Sequence, residues 1–412
     1  MSAFSRPAAE GDAVLGVRPG TVFEPATVEE AAEVVAGSAR DGKALAFVGG
    51  GTDLGLGAPP KRLDAVVRTG RLARFVEHAP SDQIVTVEAG LTLGELQKSL
   101  ASHRQRLALD PPLPERRTLG GIIAANAYGP RRARFGTVRD LLIGLSFVRA
   151  DGTLAHGGGK VVKNVAGFDL PKLMVGSLGT LGLIATATFR LHPVTEEEVT
   201  LLLPGRTATD VRALVAAVRK AQLEPTSVVA AWREADRFDV AVRFEGFRAG
   251  VAEQRERLTG LVLGQAGGSC EAMDETSARA FWSSHDELRT APALRAKVTA
   301  PPTHVETIAK DVLPELLGAL DNPSFLWYAT LGIGFLAGTP ADAGTSAAAS
   351  QSARQKVSGL GGSLVLEAAP AAIRERLDVW GPPPPSLPLM QSVKNRFDPE
   401  ARLAPGRFVG GI

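Results

Sequence analysis

A single cysteine, Cys270, stands in a chain of 412 residues. One thiol cannot close an internal disulfide, and alone it cannot hold an iron–sulfur cluster or a structural zinc ion, so any such cluster has to sit on another protein. Long apolar runs are missing as well. No stretch of about 18 residues is apolar enough to read as a transmembrane helix, and the opening MSAFSRPAAEGDAV lacks the apolar middle of a signal peptide. The two absences give the expectation of a cytoplasmic chain. Nor is there a surplus of one charge: 46 Lys and Arg against 44 Asp and Glu leave +2. With the signs interspersed, this balance argues against a general nucleic-acid binder. No repeat of fixed period is visible.

What remains is an ordinary globular composition, 44% hydrophobic and 22% charged, on a chain long enough for two or three domains. Thr27 predicts a helix cap, with Glu29 and Glu30 favouring the dipole of a helix that runs through Arg40. ALAFV, AVVRT and QIVTVEAG read as strands, and Thr92 begins another helix. GLSFVRADGTLAH reads as a hairpin turning at Asp151 and Gly152. Beyond Pro193 strands such as SVVAAW and DVAVRFEG alternate with helices such as DVRALVAAVRKAQ, the rhythm of an α+β domain with an antiparallel sheet. Residues 337–352, poor in bulky apolar groups, are expected to form a mobile loop.

Three glycine-rich segments carry the chemistry. The first is Val48, Gly49, Gly50, Gly51, Thr52 and Asp53, leaving a strand. Consecutive glycines let several backbone N–H groups converge on phosphate oxygens as a nest; the same run also serves as a plain flexible turn. It is neither GxGxxG nor GxxxxGK[ST], which disfavours a nicotinamide fingerprint or an ATP loop. The second, Thr118 to Gly129, has small residues that let backbone approach a flat ring or a pyrophosphate, with Thr118 and Asn126 as polar contacts; the alternative is a helix packed tightly on a sheet. The third, Lys160 to Ile184, has a Lys–Asn pair and then Gly176, Gly179 and Gly182 three apart, the pattern of backbone nearing a cofactor or of a crowded packing corner.

With EPATVEEAAEVV, VGGGTDLG, TLGGIIAAN, FGTVRDLLIGLSFVRADG and VVKNVAGFDLPKLMVGSLGTLGLI in this order, the chain resembles flavoproteins of the p-cresol methylhydroxylase and vanillyl-alcohol oxidase type. DVWGPPPP and the ending LMQSVKNRFDPEARLAPGRFVGGI make it similar to the FAD-binding E subunits of bacterial glycolate oxidases. The resemblance implies an α+β protein. Residues 1–195 would be a two-subdomain FAD-binding domain, 196–385 a smaller cap with an antiparallel sheet, and 386–412 a segment returning to the flavin domain.

Carried over, Val48 to Asp53 would hold the FAD pyrophosphate. Thr118, Gly120, Gly121, Ala125 and Asn126 would line the phosphates and the isoalloxazine. Gly136, Asp140 and Leu142 would close the adenosine side, Gly179, Gly182 and Ile184 would face the ring, and Lys394 would favour the anionic reduced flavin. Phe168 departs from the family's usual Tyr, and Ala404 from its usual Asn-Pro-Gly turn. No histidine lies in the pyrophosphate loop, so the FAD is expected to be non-covalent, with His78 a loop residue. His285 and His304 lack the spacing of a metal site, and no metal is expected. Arg289 and Trp282 suit a small carboxylate or a partner surface.

The resemblance implies a subunit taking part in oxidation of glycolate, a small 2-hydroxy acid, beside a second flavin subunit and an iron–sulfur subunit, with any membrane association arising through the complex. The alternatives are an independent FAD oxidoreductase with its own catalytic base, and an assembly subunit whose flavin never turns over.

Overall fold

The computed structural model describes residues 4–160, 168–264 and 269–412. Its contacts divide the chain into two units, one of residues 1–128, 136–194 and 382–412, the other of 129–135 and 195–381. The VVKNVAG stretch, with its Lys–Asn pair, lies outside the described residues.

The first unit holds two main sheets. In the four-stranded sheet the order is Ser5–Pro7, Thr21–Phe23, Ala65–Arg68, Leu45–Val48, and Ala65–Arg68 runs parallel to both of its neighbours. The five-stranded sheet is antiparallel, in the order Phe75–Ala79, Ile84–Glu88, Leu183–Arg190, Leu142–Val148, Leu154–Gly158. The helix Val28–Arg40 forms where its cap predicts, the Thr27 hydroxyl accepting from the Glu30 amide. Its apolar stripe of Val28, Ala31, Val34 and Val35 packs on Leu45, Ala65 and Val67 of one sheet and Val148, Leu183 and Ala185 of the other. Residues spaced three and four apart thus make one core of two sheets. The hairpin turns at the expected place, between Leu142–Val148 and Leu154–Gly158.

The second unit is an eight-stranded antiparallel sheet in the order Glu271–Ala272, Glu197–Thr207, Arg237–Gly246, Ser227–Glu234, Leu320–Tyr328, Ile333–Pro340, Leu294–Thr299, Ser363–Ala368. Alternation sends Val240, Val242, Val228, Trp327 and Leu366 into a core shared with the helices Ala208–Lys220, Arg248–Leu263 and Ala343–Gly359. Residues 129–135 join this unit through Arg131, whose guanidinium pairs with Glu245 at 2.6 Å and Glu198 at 3.1 Å.

The expected loop at 337–352 is instead the end of the strand Ile333–Pro340 and most of the helix Ala343–Gly359. Alanine has the highest helix propensity of any residue, Asp342 caps the helix by accepting from the Thr345 amide at 2.7 Å, and Ala347, Ala349 and Ala353 are buried. Small residues here signal close packing rather than mobility. His78, expected in a loop, sits in the strand Phe75–Ala79, with Nε2 2.8 Å from Gln105 Oε1.

Candidate FAD site

The strand Leu45–Val48 ends in the glycine loop, and the space beyond it is a cavity within the first unit. Val48, Gly49, Gly50, Gly51, Thr52 and Asp53 all line it. Why these positions are glycine follows from close approach. A Cβ on Gly50 would lie 1.7 Å from the Arg116 carbonyl oxygen, and one on Gly49 2.0 Å from Thr118 Oγ1; Gly51 has φ +71°, the left-handed region. Asp53 is fixed by a salt bridge to the buried Arg117, whose Nε donates to the Pro112 carbonyl at 2.6 Å. The loop is therefore held from below while its amides stay available. Among the described residues no backbone acceptor takes the N–H groups of Gly50, Gly51, Thr52 and Asp53.

The second segment forms the short helix Leu119–Ala125, capped by Thr118, which accepts from Gly121 N at 3.2 Å. Thr118, Gly120, Gly121 and Ala125 line the cavity, as do Ala89 and Ala124. The first amides of this helix are already engaged: Leu119 N donates to Leu91 O at 2.9 Å and Gly120 N to Ala89 O at 2.7 Å. The helix thus offers a smooth wall, and the donors come from the loop. Asn126, in left-handed conformation at φ 50°, ends the helix and does not line the cavity; its Oδ1 is buried with no hydrogen-bond partner among the described residues, as is the nearby Ser177 Oγ.

The third segment is stitched to the helix, Gly176 N donating to Ile123 O and Leu178 N to Ala124 O, both at 2.9 Å. This brings Gly179, Gly182 and Ile184 to the cavity together with Leu178 and Leu183. Gly182 has no room for a side chain, since a Cβ would meet the Val148 carbonyl oxygen at 2.7 Å.

Besides Asn126, four expected residues lie away from the cavity. Asp140 accepts from the Thr137 amide at 2.7 Å in a capping box and fills the space a Gly136 side chain would need. Leu142 is buried at the start of its strand. None of Gly136, Asp140 and Leu142 lines the cavity. Lys394 does not reach it either. Its ammonium donates to Thr180 O at 2.9 Å, Asp398 Oδ2 at 2.7 Å and Leu403 O at 2.9 Å, which engages all three of its protons. Burial pushes its pKa below the ordinary lysine value, against the opposing pull of Asp398. The terminal residues that do line the cavity are Ala404 and Arg407. Lys394 and Arg407 sit in the same motif, and nothing in its spacing says which of the two side chains lines the cavity.

The donor set and the shape suit FAD. Four unengaged amides in a row match the oxygens of a diphosphate, and a wall of Ala89, Gly120, Ala124, Gly179 and Gly182 leaves room for a flat ring.

In the second unit a polar cluster lies on the sheet face opposite Trp327. His285, from the helix Glu275–Leu288, is buried; its Nε2 lies 2.6 Å from Tyr328 Oη and its Nδ1 2.8 Å from Asp286 Oδ1. Arg289 Nη1 donates to the same phenol oxygen at 3.2 Å, with its guanidinium 3.9 Å from the Phe335 ring centre. Trp282 donates to Thr200 Oγ1 at 3.1 Å beneath the Arg243 guanidinium. His285 was isolated in sequence because its partner Tyr328 is 43 residues away. Among the described residues no group of three His, Cys, Asp or Glu side chains is placed to hold a metal ion, and no helix is long and apolar enough to cross a membrane.

Residues 19–158 match the FAD binding domain family, a stretch that takes in the glycine loop and the helix Leu119–Ala125, and FAD is the cofactor. The fold is that of p-cresol methylhydroxylase, whose substrate-bound structure superposes with a TM-score of 0.74 over 97% of this chain and 90% of that one, at 15% identity. Among curated relatives, D-lactate dehydrogenase of Archaeoglobus fulgidus is 34% identical over 203 residues, 49% of this chain and 45% of its own length. Glycolate oxidase subunit GlcE of Escherichia coli is 32% identical over 189 residues, 45% of this chain and 52% of its own. The matched stretch thus spans about half the length of each relative.

Proposed function

We propose that the protein is an FAD-dependent oxidoreductase of a small 2-hydroxy acid, serving as the flavin-binding subunit of a glycolate-oxidising complex. The observation that carries the reading is the cavity with its four unengaged loop amides, inside a domain whose relatives include a D-lactate dehydrogenase and a glycolate oxidase subunit. Bound there, FAD supplies an acceptor for the hydride of an alcohol carbon. The chain's own residues bind and orient: Gly50 to Asp53 hold the diphosphate, Arg117 locks the loop through Asp53, and the small-residue wall excludes water from the ring. The remaining sequence-assigned residues that line the cavity are placed with them in this role. In the complex, a second flavin subunit oxidises glycolate and an iron–sulfur subunit takes the electrons, a job Cys270 alone cannot do.

A second reading, of an enzyme that turns over by itself, draws support from His285. Oxidation of an alcohol needs a base within hydrogen-bond reach of the substrate hydroxyl, and His285, set between Asp286 and Tyr328, has the form of an oriented base.

The purified chain, mixed anaerobically with glycolate or D-lactate and watched at the flavin band near about 450 nm, separates the readings. The expected result is FAD released intact by acid, and bleaching only when the partner subunits are added. Bleaching of the chain alone selects the second reading, and a flavin that stays oxidised in both conditions overturns both.

A further inference from the structure

The segment Arg402 to Arg407 runs alongside the strand that feeds the glycine loop. Leu45 N donates to Arg402 O at 2.8 Å, Ala404 N to Leu45 O at 2.7 Å, Lys61 N to Pro405 O at 2.9 Å and Ala58 N to Arg407 O at 3.0 Å. At its end the Arg407 side chain is 4% exposed and lines the cavity. Its Nη2 donates to Leu54 O at 3.1 Å and Leu56 O at 2.7 Å, carbonyls directly after the loop whose amides are unengaged. Among the described lining residues Asp53 and Arg407 are the acidic and the basic side chain, and the Asp53 carboxylate is bridged to Arg117. The cavity therefore presents a row of amides and a buried, immobilised cation within one stretch of wall.

We propose that Arg407 is a cofactor-binding residue whose guanidinium faces the FAD diphosphate, so that the 402–407 segment and the glycine loop form a single anion clamp. The proposal rests on the FAD reading of the cavity. A guanidinium whose Nη2 is held by the Leu54 and Leu56 carbonyls still carries its full charge, and that charge favours phosphate oxygens at the wall it lines. If Arg407 merely tied the tail to the loop, its loss would weaken every flavin equally, because the cavity wall as a whole would loosen.

The test compares FAD with riboflavin, which has the ring and no phosphate, by fluorescence titration of apoprotein. Arg407→Gln should weaken FAD by at least about tenfold, as for loss of one charge-assisted contact, while riboflavin changes by less than about twofold. Arg407→Lys should keep FAD within about fivefold of the wild type, since the charge survives and the fork does not. Equal losses for both ligands in Arg407→Gln, or no loss for either, overturn the assignment. Should Arg407→Gln not fold, the wild-type protein decides: raising salt from about 20 to about 500 mM should lower FAD affinity several-fold and leave riboflavin unchanged, and an equal response overturns it. Failure of the FAD reading itself looks different, because the wild-type chain would then bind neither flavin.

Discussion

Gly50 and Gly51 are neighbours with different reasons for being glycine. Gly50 is pinned by the Arg116 carbonyl, 1.7 Å from where a Cβ would stand, whereas Gly51 has space around it and a left-handed backbone. Alanine at 50 forces the loop off the 116–118 segment, an overpacking cost of about 1–3 kcal/mol, and moves the amides that would meet the diphosphate. Alanine at 51 costs about 1 kcal/mol of backbone strain and leaves the loop in place. Gly50→Ala should therefore lose FAD affinity by far the more, although both variants melt earlier than wild type. Titration of the two apoproteins checks this, and comparable affinities would show that loop placement is set elsewhere.

Lys394 of the helix Leu387–Phe397 reaches the turn at Thr180, and its buried ion pair with Asp398 ties the helix to the tail that follows. Lys394 bridges Thr180, Asp398 and Leu403, while Asp398 Oδ2 also accepts from Leu403 N at 2.7 Å. Lys394→Met strands a buried carboxylate, a loss of about 3–5 kcal/mol. Adding Asp398→Asn should recover a good part of it, since the amide oxygen still accepts from Leu403. Urea midpoints of the single and double variants measure the difference; a double variant no better than the single would place the loss in packing instead. Elements of this kind mark the limit of what the sequence reveals. Thr27, Thr92 and the Asp151–Gly152 turn were legible because caps and turns are decided by residues a few positions apart. The helix at 343–359 was not, because its small residues fit a buried interface as well as a loop and only tertiary contact separates the two. Lys394 and Arg407 show the same limit in the site: a motif located the segment, and packing decided which side chain turned inward.

The cavity gathers its wall from distant parts of the chain, Val14, the loop at 48–54, the helix after Thr118, the turn at 178–184 and the tail at 404–407. A ligand holding all of these together stabilises the unit by mass action, about 2.7 kcal/mol at one hundred times Kd. Amide hydrogen exchange with and without FAD should show added protection in those separate stretches at once, 404–407 included. Protection confined to 48–54 would mean that the tail takes no part in binding.

The wall that takes in both Val14 and Arg407 joins residues as far apart in sequence as Leu54 and Arg407, which stand 353 positions apart. A nascent chain that has reached Val194 carries the whole stretch matched to the FAD binding domain and still lacks one side of its pocket. A fragment cut at that apparent domain boundary would therefore be an open mould.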